Sequence, residues 1–491
     1  MLATNTLGER EALTRRFGSR GRIELTESKI LLISYLFPPV GGIGVQRALS
    51  LAKYLPQCGF EVHVLKATNA GGPVYDPDLV RQIPASVRVH EAFTPEIPFA
   101  IRQKLWARLT AGQAKPSAQA VTAPLRQGFS LKKLVTDTTR RIMNPEPEIL
   151  WVPFALRKAR QIIRRYGIQY VMVTVPPFSA LVVGTRLKRE FPSLVLVSDF
   201  RDEWLSFYLK DFDFQNSAGT RRKAETIERE SVEASDLVVA VNRSSRDEIR
   251  KRYPEQAERK FRVLPNGYDP EVFRGITPQP KTGERMVVTH VGTVYKTASP
   301  RFYLDAVDTL PEEIRSRIET RLVGRVAESE RACLEGRKSQ VTQLGFMPQA
   351  EALKHMADTD YLLLTMTNDI SVPGKLFEYM AVHKPILAMA ARGSEVDQLL
   401  IETSAGLCVP PDDTEGIRAM LIRAFEAWRD RKALIEGDGQ AVRCYERPRL
   451  VEEYGKLIRE AGAPVTGTGV AESGKPHTSK RSPARPGPGA V

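Results

Sequence analysis

The run Ser371-Val372-Pro373-Gly374-Lys375-Leu376-Phe377-Glu378-Tyr379-Met380, continuing to Lys384-Pro385-Ile386-Leu387-Ala388, combines residue types that suit nucleotide chemistry. A Pro-Gly turn opens a helix at Gly374, Lys375 and Leu376. Free backbone N–H groups, the positive end of the helix dipole and an ammonium coincide there, and that combination binds phosphate. Glu378 follows one helical turn later on the same side, where a carboxylate can accept hydrogen bonds from both hydroxyls of a ribose. An ordinary strand-turn-helix junction with a solvated Lys and a surface Glu accounts for the same residues equally well. A second constellation is Asp199-Phe200-Arg201-Asp202-Glu203-Trp204. Two carboxylates bracket an arginine at the end of an apolar run, where catalytic groups of open α/β sheets gather. Its plainer reading is an Asp-Arg pair fixing the loop, with Trp204 as a core plug. A third is Gly41-Gly42-Ile43-Gly44, which lets the backbone approach a ligand with no Cβ in the way and equally suits a tight turn.

These stretches need elements to hold them. Residues 29–35 read as an apolar strand, 45–58 as a helix and 61–66 as a second strand, a right-handed parallel unit with the glycine loop at the first strand's C-terminal end. Helix and strand then alternate through 154–165, 169–175, 180–191 and 194–198, with Pro176-Pro177-Phe178-Ser179 as a turn. A charged helix at 225–233, a strand at 237–241 and a helix at 244–253 follow. Pro265-Asn266-Gly267 is turn chemistry, and the Pro- and Gly-bearing stretch to Gly283 reads as a linker. Beyond it, strands are expected at 286–292, 317–323, 341–344, 361–366, 385–389 and 406–409. Helices are expected at 350–356, 414–430 and 445–461.

Residues 363–409 resemble the nucleotide-sugar half of family 4 glycosyltransferases. Pro373, Lys375, Glu378 and Tyr379 fit the Pro-x-Lys-x-x-Glu-Tyr loop of a bacterial polysaccharide branch of that family. The Pro-Pro-Phe-Ser and Asp-Phe-Arg-Asp-x-Trp strings match the same branch and extend the resemblance to both halves. It implies the GT-B fold, an α/β architecture of two Rossmann-like domains facing across a cleft. Residues 29–268 would form the acceptor domain, with an insertion at about 98–147. A linker at 269–285, a nucleotide-sugar domain at 286–444 and a crossover helix at 445–463 would follow. The resemblance further implies that Gly41, Gly42 and Gly44 lie against the donor diphosphate and transferred sugar. Lys296 would meet the donor phosphates beside Thr293, which stands where the family often has Arg, and Phe346 falls in the loop whose backbone meets the nucleobase. The first of the family's two Glu residues is Ile370 here, eight positions before Glu378.

Transfer with retention at the anomeric carbon is the implied reaction, from a nucleotide-sugar to a lipid-linked or oligosaccharide acceptor. No metal or other cofactor is expected, since Lys375, Lys296 and the helix start can neutralise the diphosphate leaving group. Asp202, with Asp199 second, is the candidate to orient or deprotonate the acceptor hydroxyl, because the family often has His-Asp where Arg201-Asp202 stands. Arg201 and Trp204 are placed on the acceptor side. Asp211-Phe212-Asp213 imitates the metal-binding DxD of the other glycosyltransferase fold, but the rest of that fold is absent. Two further readings stay open: a GT-B enzyme of another reaction type, such as an inverting transferase or an epimerase, and a non-catalytic scaffold in polysaccharide assembly.

With 491 residues and 42% apolar content, the chain can build two or three full cores. No apolar run approaches the ~20 residues that span a bilayer, and residues 1–28 form a polar extension without the apolar region of a signal peptide. Cys58, Cys333, Cys408 and Cys444 show no CxxC pairing, so neither zinc nor a disulfide framework is expected and a cytoplasmic setting is. The net charge is +14, and residues 97–190 hold 17 Lys and Arg against four Asp and Glu. Charge so concentrated indicates a polyanionic partner. Residues 97–109 and 129–143 place basic residues around apolar positions at helical spacing, which suits either an anionic membrane surface at the inner face or packing on the domain. Nucleic acid is disfavoured, because no RRM, helix-turn-helix or zinc-finger pattern accompanies the charge. Residues 464–491, rich in Gly, Pro, Ser and Thr, read as a disordered tail.

Overall fold

The computed structural model describes residues 28–71, 75–95, 143–208, 217–276, 283–367 and 370–463. The N-terminal extension, most of the basic insertion, Asp211-Phe212-Asp213 and the C-terminal tail lie outside the described residues.

The first half contains β1 (Ser28–Ile33), α1 (Ile43–Tyr54), β2 (Phe60–Ala67), β3 (Arg88–Ala92), α2 (Val152–Tyr166), β4 (Tyr170–Val175), α3 (Ala180–Glu190), β5 (Val195–Phe200), α4 (Ala218–Ala234), β6 (Leu237–Ala240), α5 (Arg243–Arg252) and β7 (Phe261–Val263). Its strands form one sheet in the order β3-β2-β1-β4-β5-β6-β7, every neighbouring pair parallel. Ile30, Leu31, Leu32 and Ile33 are all fully buried. Such an unbroken apolar run is what a parallel strand needs when helices cover both faces of the sheet. Gly184 lets α3 lie close on the sheet, since a Cβ there would sit 2.7 Å from Val173 Cγ2.

The second half contains β8 (Met286–Val291), α6 (Arg301–Asp308), β9 (Ile318–Val323), β10 (Gln340–Gly345), α7 (Gln349–Ala357), β11 (Tyr361–Thr365), α8 (Lys375–Ala381), β12 (Ile386–Met389), α9 (Glu395–Thr403), β13 (Gly406–Val409), α10 (Thr414–Arg429) and α11 (Arg447–Gly462). Its parallel sheet runs β10-β9-β8-β11-β12-β13. In both sheets the order turns back on itself at the first strand, between β1 and β4 and between β8 and β11. Loops leaving those strands in opposite directions open a crevice at their C-terminal ends, the place where open α/β sheets take ligands.

The chain crosses between the halves twice, side by side. Tyr268 N donates to Tyr445 O at 3.1 Å, and Arg447 N donates to Tyr268 O at 2.9 Å. Gly267 is required there, because a Cβ would overlap the Tyr445 carbonyl. After the second crossing α11 returns to the first half, where Val451, Tyr454 and Ile458 join the core around Ile30, Leu32 and Met172.

Strands and helices expected from apolar periodicity appear within a few residues of their expected bounds. Of the elements named above, four were not anticipated: β3, β7, α6 and α9. β3 is an edge strand that leaves Arg88, Val89 and Glu91 exposed, so it carries no apolar run to read. α4 extends well beyond the expected 225–233, because its buried face includes Thr220, Glu228 and Ser231 and hides its amphipathicity. Among the described residues, no helix is long and apolar enough to cross a membrane.

Candidate functional site

On the second-half side of the crevice, β11 ends at Thr365 and α8 begins at Lys375. Lys375 is half-buried, and its Nζ lies 3.3 Å from Nε2 of His290 on β8. Burial pushes its amine down to about 7. His290 itself is fully buried, with Nδ1 3.1 Å from Leu363 O. Gly292 lies against the lysine at φ +132°, a backbone conformation that residues with a side chain rarely adopt. Tyr379 ties the same elements together: its hydroxyl accepts from Val291 N at 2.7 Å and donates to Val291 O at 3.2 Å.

Glu378, also half-buried, accepts from Gln349 Nε2 at 3.0 Å. Burial raises its carboxyl, opposed by the charge of Arg447 and the Gln349 bond. Arg447 lies at the second crossing, where its Nε donates to Gly267 O at 3.0 Å and its Nη1 to Gln46 Oε1 at 2.9 Å. Gln46 is on α1, immediately after the glycine loop. One guanidinium therefore joins the helix behind Gly41, Gly42 and Gly44 to the crossing, and its charge acts on the Glu378 carboxylate. Asp269 anchors the far end of α1, binding Lys53 Nζ and Tyr54 OH, each at 2.8 Å.

Thr293 and Lys296 are both exposed on the loop that follows β8. Phe346 is 58% exposed, with the Arg325 guanidinium 4.9 Å from its ring centre. Phe346 and Arg325, with Gly324, Arg331, Gln343 and Gly345, line a cavity of about 600 Å³. Leu376, expected among the donor-binding residues, is corrected: its side chain is fully buried and its N–H bonds Pro373 O at 3.0 Å. Phe377 N likewise bonds Gly374 O at 3.3 Å, so the turn's own carbonyls occupy part of the expected set of free N–H groups.

On the first-half side, the glycine loop follows β1, and Gly42 has φ +94°, a conformation few other residues adopt. Arg201 holds this loop: its Nε donates to Val175 O at 3.1 Å, and its other nitrogens donate to the carbonyls of Gly44 and Pro176. Asp202 is half-buried beside it and accepts no hydrogen bond among the described residues. Burial raises its carboxyl, opposed by the Arg201 charge.

The neighbours of Asp202 are placed otherwise than the sequence led us to expect. Asp199 is fully buried and receives Arg47 Nη2 at 2.8 Å, Arg47 Nε at 3.0 and 3.1 Å and Tyr454 OH at 2.9 Å. Burial acts to raise its carboxyl, but the Arg47 charge and hydrogen bonds outweigh it and hold it low. Asp199 thus locks α1 and α11 onto the first sheet rather than facing an acceptor. Trp204, expected on the acceptor side, is also corrected. It is 1% exposed and stacks flat on Phe178 with ring centres 4.4 Å apart, so it plugs the core. Glu203 is buried against Arg252 at 2.6 Å, which also holds Glu228 at 2.8 Å.

The halves touch at one end of the crevice. Asn242 Nδ2 donates to Ile370 O at 2.7 Å, and Ser244 donates through N and Oγ to Glu395 Oε1 at 2.7 and 3.1 Å. His290, Arg447 and Asn242 were missed in the sequence. A histidine inside the apolar run Met286–Val291, two residues before a glycine, is a signal for the first. Asn242 caps α5 by accepting from Ser245 N at 2.7 Å, but its reach to Ile370, like the contacts of Arg447 with Gly267 and Gln46, joins segments more than 100 residues apart.

Comparison with known proteins agrees with this architecture. Residues 117–272 match the family described as Glycosyltransferase Family 4, and residues 285–427 the family Glycosyl transferases group 1, so the two matches together cover more than half of the chain. A probable glycosyltransferase, WbjE of Pseudomonas aeruginosa, is 31% identical over 91 residues, which are 18% of this chain and 23% of that protein. The chain therefore spans about a quarter of the length of that relative. Sucrose-phosphate synthase from Thermosynechococcus elongatus superposes with a TM-score of 0.59 at 15% identity, covering 88% of this chain and 98% of that one. Anabaena HepE, solved in complex with UDP and glucose, superposes with a TM-score of 0.56 at 16% identity, covering 88% and 99%. Two parallel sheets, a crevice at their reversal points, a helix crossing back and family matches in both halves lead to one assignment: the chain belongs to the family 4 glycosyltransferases and has the GT-B fold.

Proposed function

We propose that the protein transfers a sugar, with retention at the anomeric carbon, from a nucleotide-sugar to a saccharide acceptor in cell-surface polysaccharide or glycoconjugate synthesis. The observation that carries this reading is the pair Lys375 and Glu378. Among the described residues, one helix presents an amine without a carboxylate partner and, one turn on, a carboxylate whose only hydrogen bond comes from Gln349. Glu378 suits the ribose hydroxyls, Lys375 and Lys296 the diphosphate, and the hollow beside Phe346 and Arg325 a nucleobase, which stacks on an aromatic face. Cations placed at the diphosphate stabilise the charge that grows as the glycosidic bond breaks, so no metal is required. Asp202, with its carboxyl raised by burial, orients the acceptor hydroxyl and receives its proton. Because HepE was solved with UDP bound, a uridine nucleotide is the first donor to try.

A lipid-linked acceptor at the inner face of the membrane fits the charge of the first half. α2 exposes Arg157, Arg164 and Arg165, half-buries Lys158 and contains no acid, although Glu190 pairs with Arg160 and Arg164. Phe154, 42% exposed, meets Phe93, 54% exposed, edge to face at 5.3 Å beside this helix. Basic and aromatic groups together suit an anionic lipid surface. The decisive experiment is a thermal-shift screen against UDP-, GDP-, ADP- and dTDP-sugars, followed by an assay of nucleotide release. One donor class is expected to raise Tm, and Lys375→Ala and Glu378→Ala to abolish the rise. No stabilisation by any donor and no release would leave a non-catalytic scaffold as the better reading.

A further inference from the structure

His290 is the polar member of an apolar strand, and its hydrogen bonds fix its tautomer. Leu363 O can only accept, so the ring hydrogen sits on Nδ1 and donates to that carbonyl at 3.1 Å. Nε2 then offers a lone pair, and Lys375 Nζ lies 3.3 Å away to fill it. Burial first, and the Lys375 charge second, hold the imidazole well below its usual range, so the ring stays neutral.

The lysine has an acceptor but no counter-charge. Glu378, on its own helix, answers to Gln349 and Arg447, and Tyr379 on that helix has its ionisation pushed up by burial. β8 offers His290, the loop after β8 carries Lys296, and β11 contributes a carbonyl. Among the described residues, no carboxylate contacts Lys375. A half-buried ammonium in that setting is costly, whereas an amine that donates to imidazole is not.

We propose that His290 and Lys375 make donor binding proton-linked: in the empty cleft the amine rests largely uncharged on Nε2, and the donor's diphosphate draws it off the ring and fixes a proton taken from solvent. This rests on the reading of the cleft as a nucleotide-diphosphate site. The amine's position near 7 makes the linkage visible at neutral pH. His290 is a positioning residue, because a neutral acceptor keeps Nζ in the cleft without competing for the ammonium as a carboxylate would. The sign is fixed by the charge state that binds. The donor's diphosphate, esterified at both ends, keeps its two charges throughout this range, and the terminal phosphate of a free nucleoside diphosphate is ionised above about pH 7, since phosphate second ionisations lie near 6. Affinity therefore falls as pH rises above about 7.5, by as much as tenfold per unit.

Isothermal titration of the full chain with UDP, and with GDP, ADP and dTDP in parallel, tests this in buffers of different ionisation enthalpy. The expected result is uptake of about half a proton or more per nucleotide at pH 7.5, as the slope of heat against buffer enthalpy. Lys375→Met should abolish the slope and weaken binding. His290→Gln, which keeps an acceptor for Nζ, should retain binding and slope. His290→Asp, which supplies a fixed counter-charge, should remove the slope. Tight nucleotide binding by the wild type with no buffer dependence would overturn the linkage and leave the donor site standing. No heat with any of the four nucleotides would overturn both.

Discussion

Asp199 to Trp204 in the first half straddles the C-terminal end of β5, Gly374 to Glu378 in the second follows β11 across a loop, and each mixes acid, base and aromatic neighbours. In the first half nearly every polar side chain is committed to the fold: Asp199 to Arg47 and Tyr454, Arg201 to three carbonyls, Glu203 to Arg252. Trp204 packs on Phe178. Of the three acids in that hexamer, Asp202 is the one that accepts no hydrogen bond among the described residues. In the second half Lys375 and Glu378 hold one neutral hydrogen-bond partner each, His290 and Gln349. Charges that are fully paired stabilise a scaffold, and charges left with neutral partners are available to a ligand.

That contrast can be broken at four places. Asp202→Ala should lower kcat by ~10²–10⁴-fold with Tm unchanged, as expected for loss of a general base; turnover within twofold of wild type would move the acceptor-side chemistry elsewhere. Asp199→Ala should act through stability. Removing one partner of a buried pair costs about 3–5 kcal/mol, read as a lower midpoint in urea unfolding. Intact stability with lost turnover would reverse the roles given to the two aspartates. Lys375→Ala and Glu378→Ala should each weaken nucleotide-sugar binding tenfold or more, about 1.4 kcal/mol per tenfold, without lowering the unfolding midpoint. Unchanged affinity in both would remove the donor site. The smallest effect expected is none: chelator should leave turnover as it was, and strict dependence on a divalent cation would contradict leaving-group stabilisation by lysine.

The pair proposed for the donor could be read from the chain because both residues belong to one helix: Lys375 and Glu378 share a face by local geometry, whatever packs around them. The first-half hexamer was only half legible. Its position at a strand end follows from the apolar run before it. Whether Asp199 faces a ligand or Arg47 depends on α1, 152 residues earlier in the chain. Trp204 shows the same limit, since aromatic size suits a sugar platform and a core plug alike, and the neighbouring Phe178 decides between them.

Local order in the chain therefore determined most of the alternation of strand and helix and the placing of the amine and carboxyl of α8 on one face. Apolar period and turn chemistry act over a few residues, and those features need no more. The pairing of Asp199, the resting place of Lys375 on His290 and the bridge from Gln46 through Arg447 towards Glu378 were decided only by the folded chain. Each joins side chains from distant segments, and burial sets whether a charge is matched or left open.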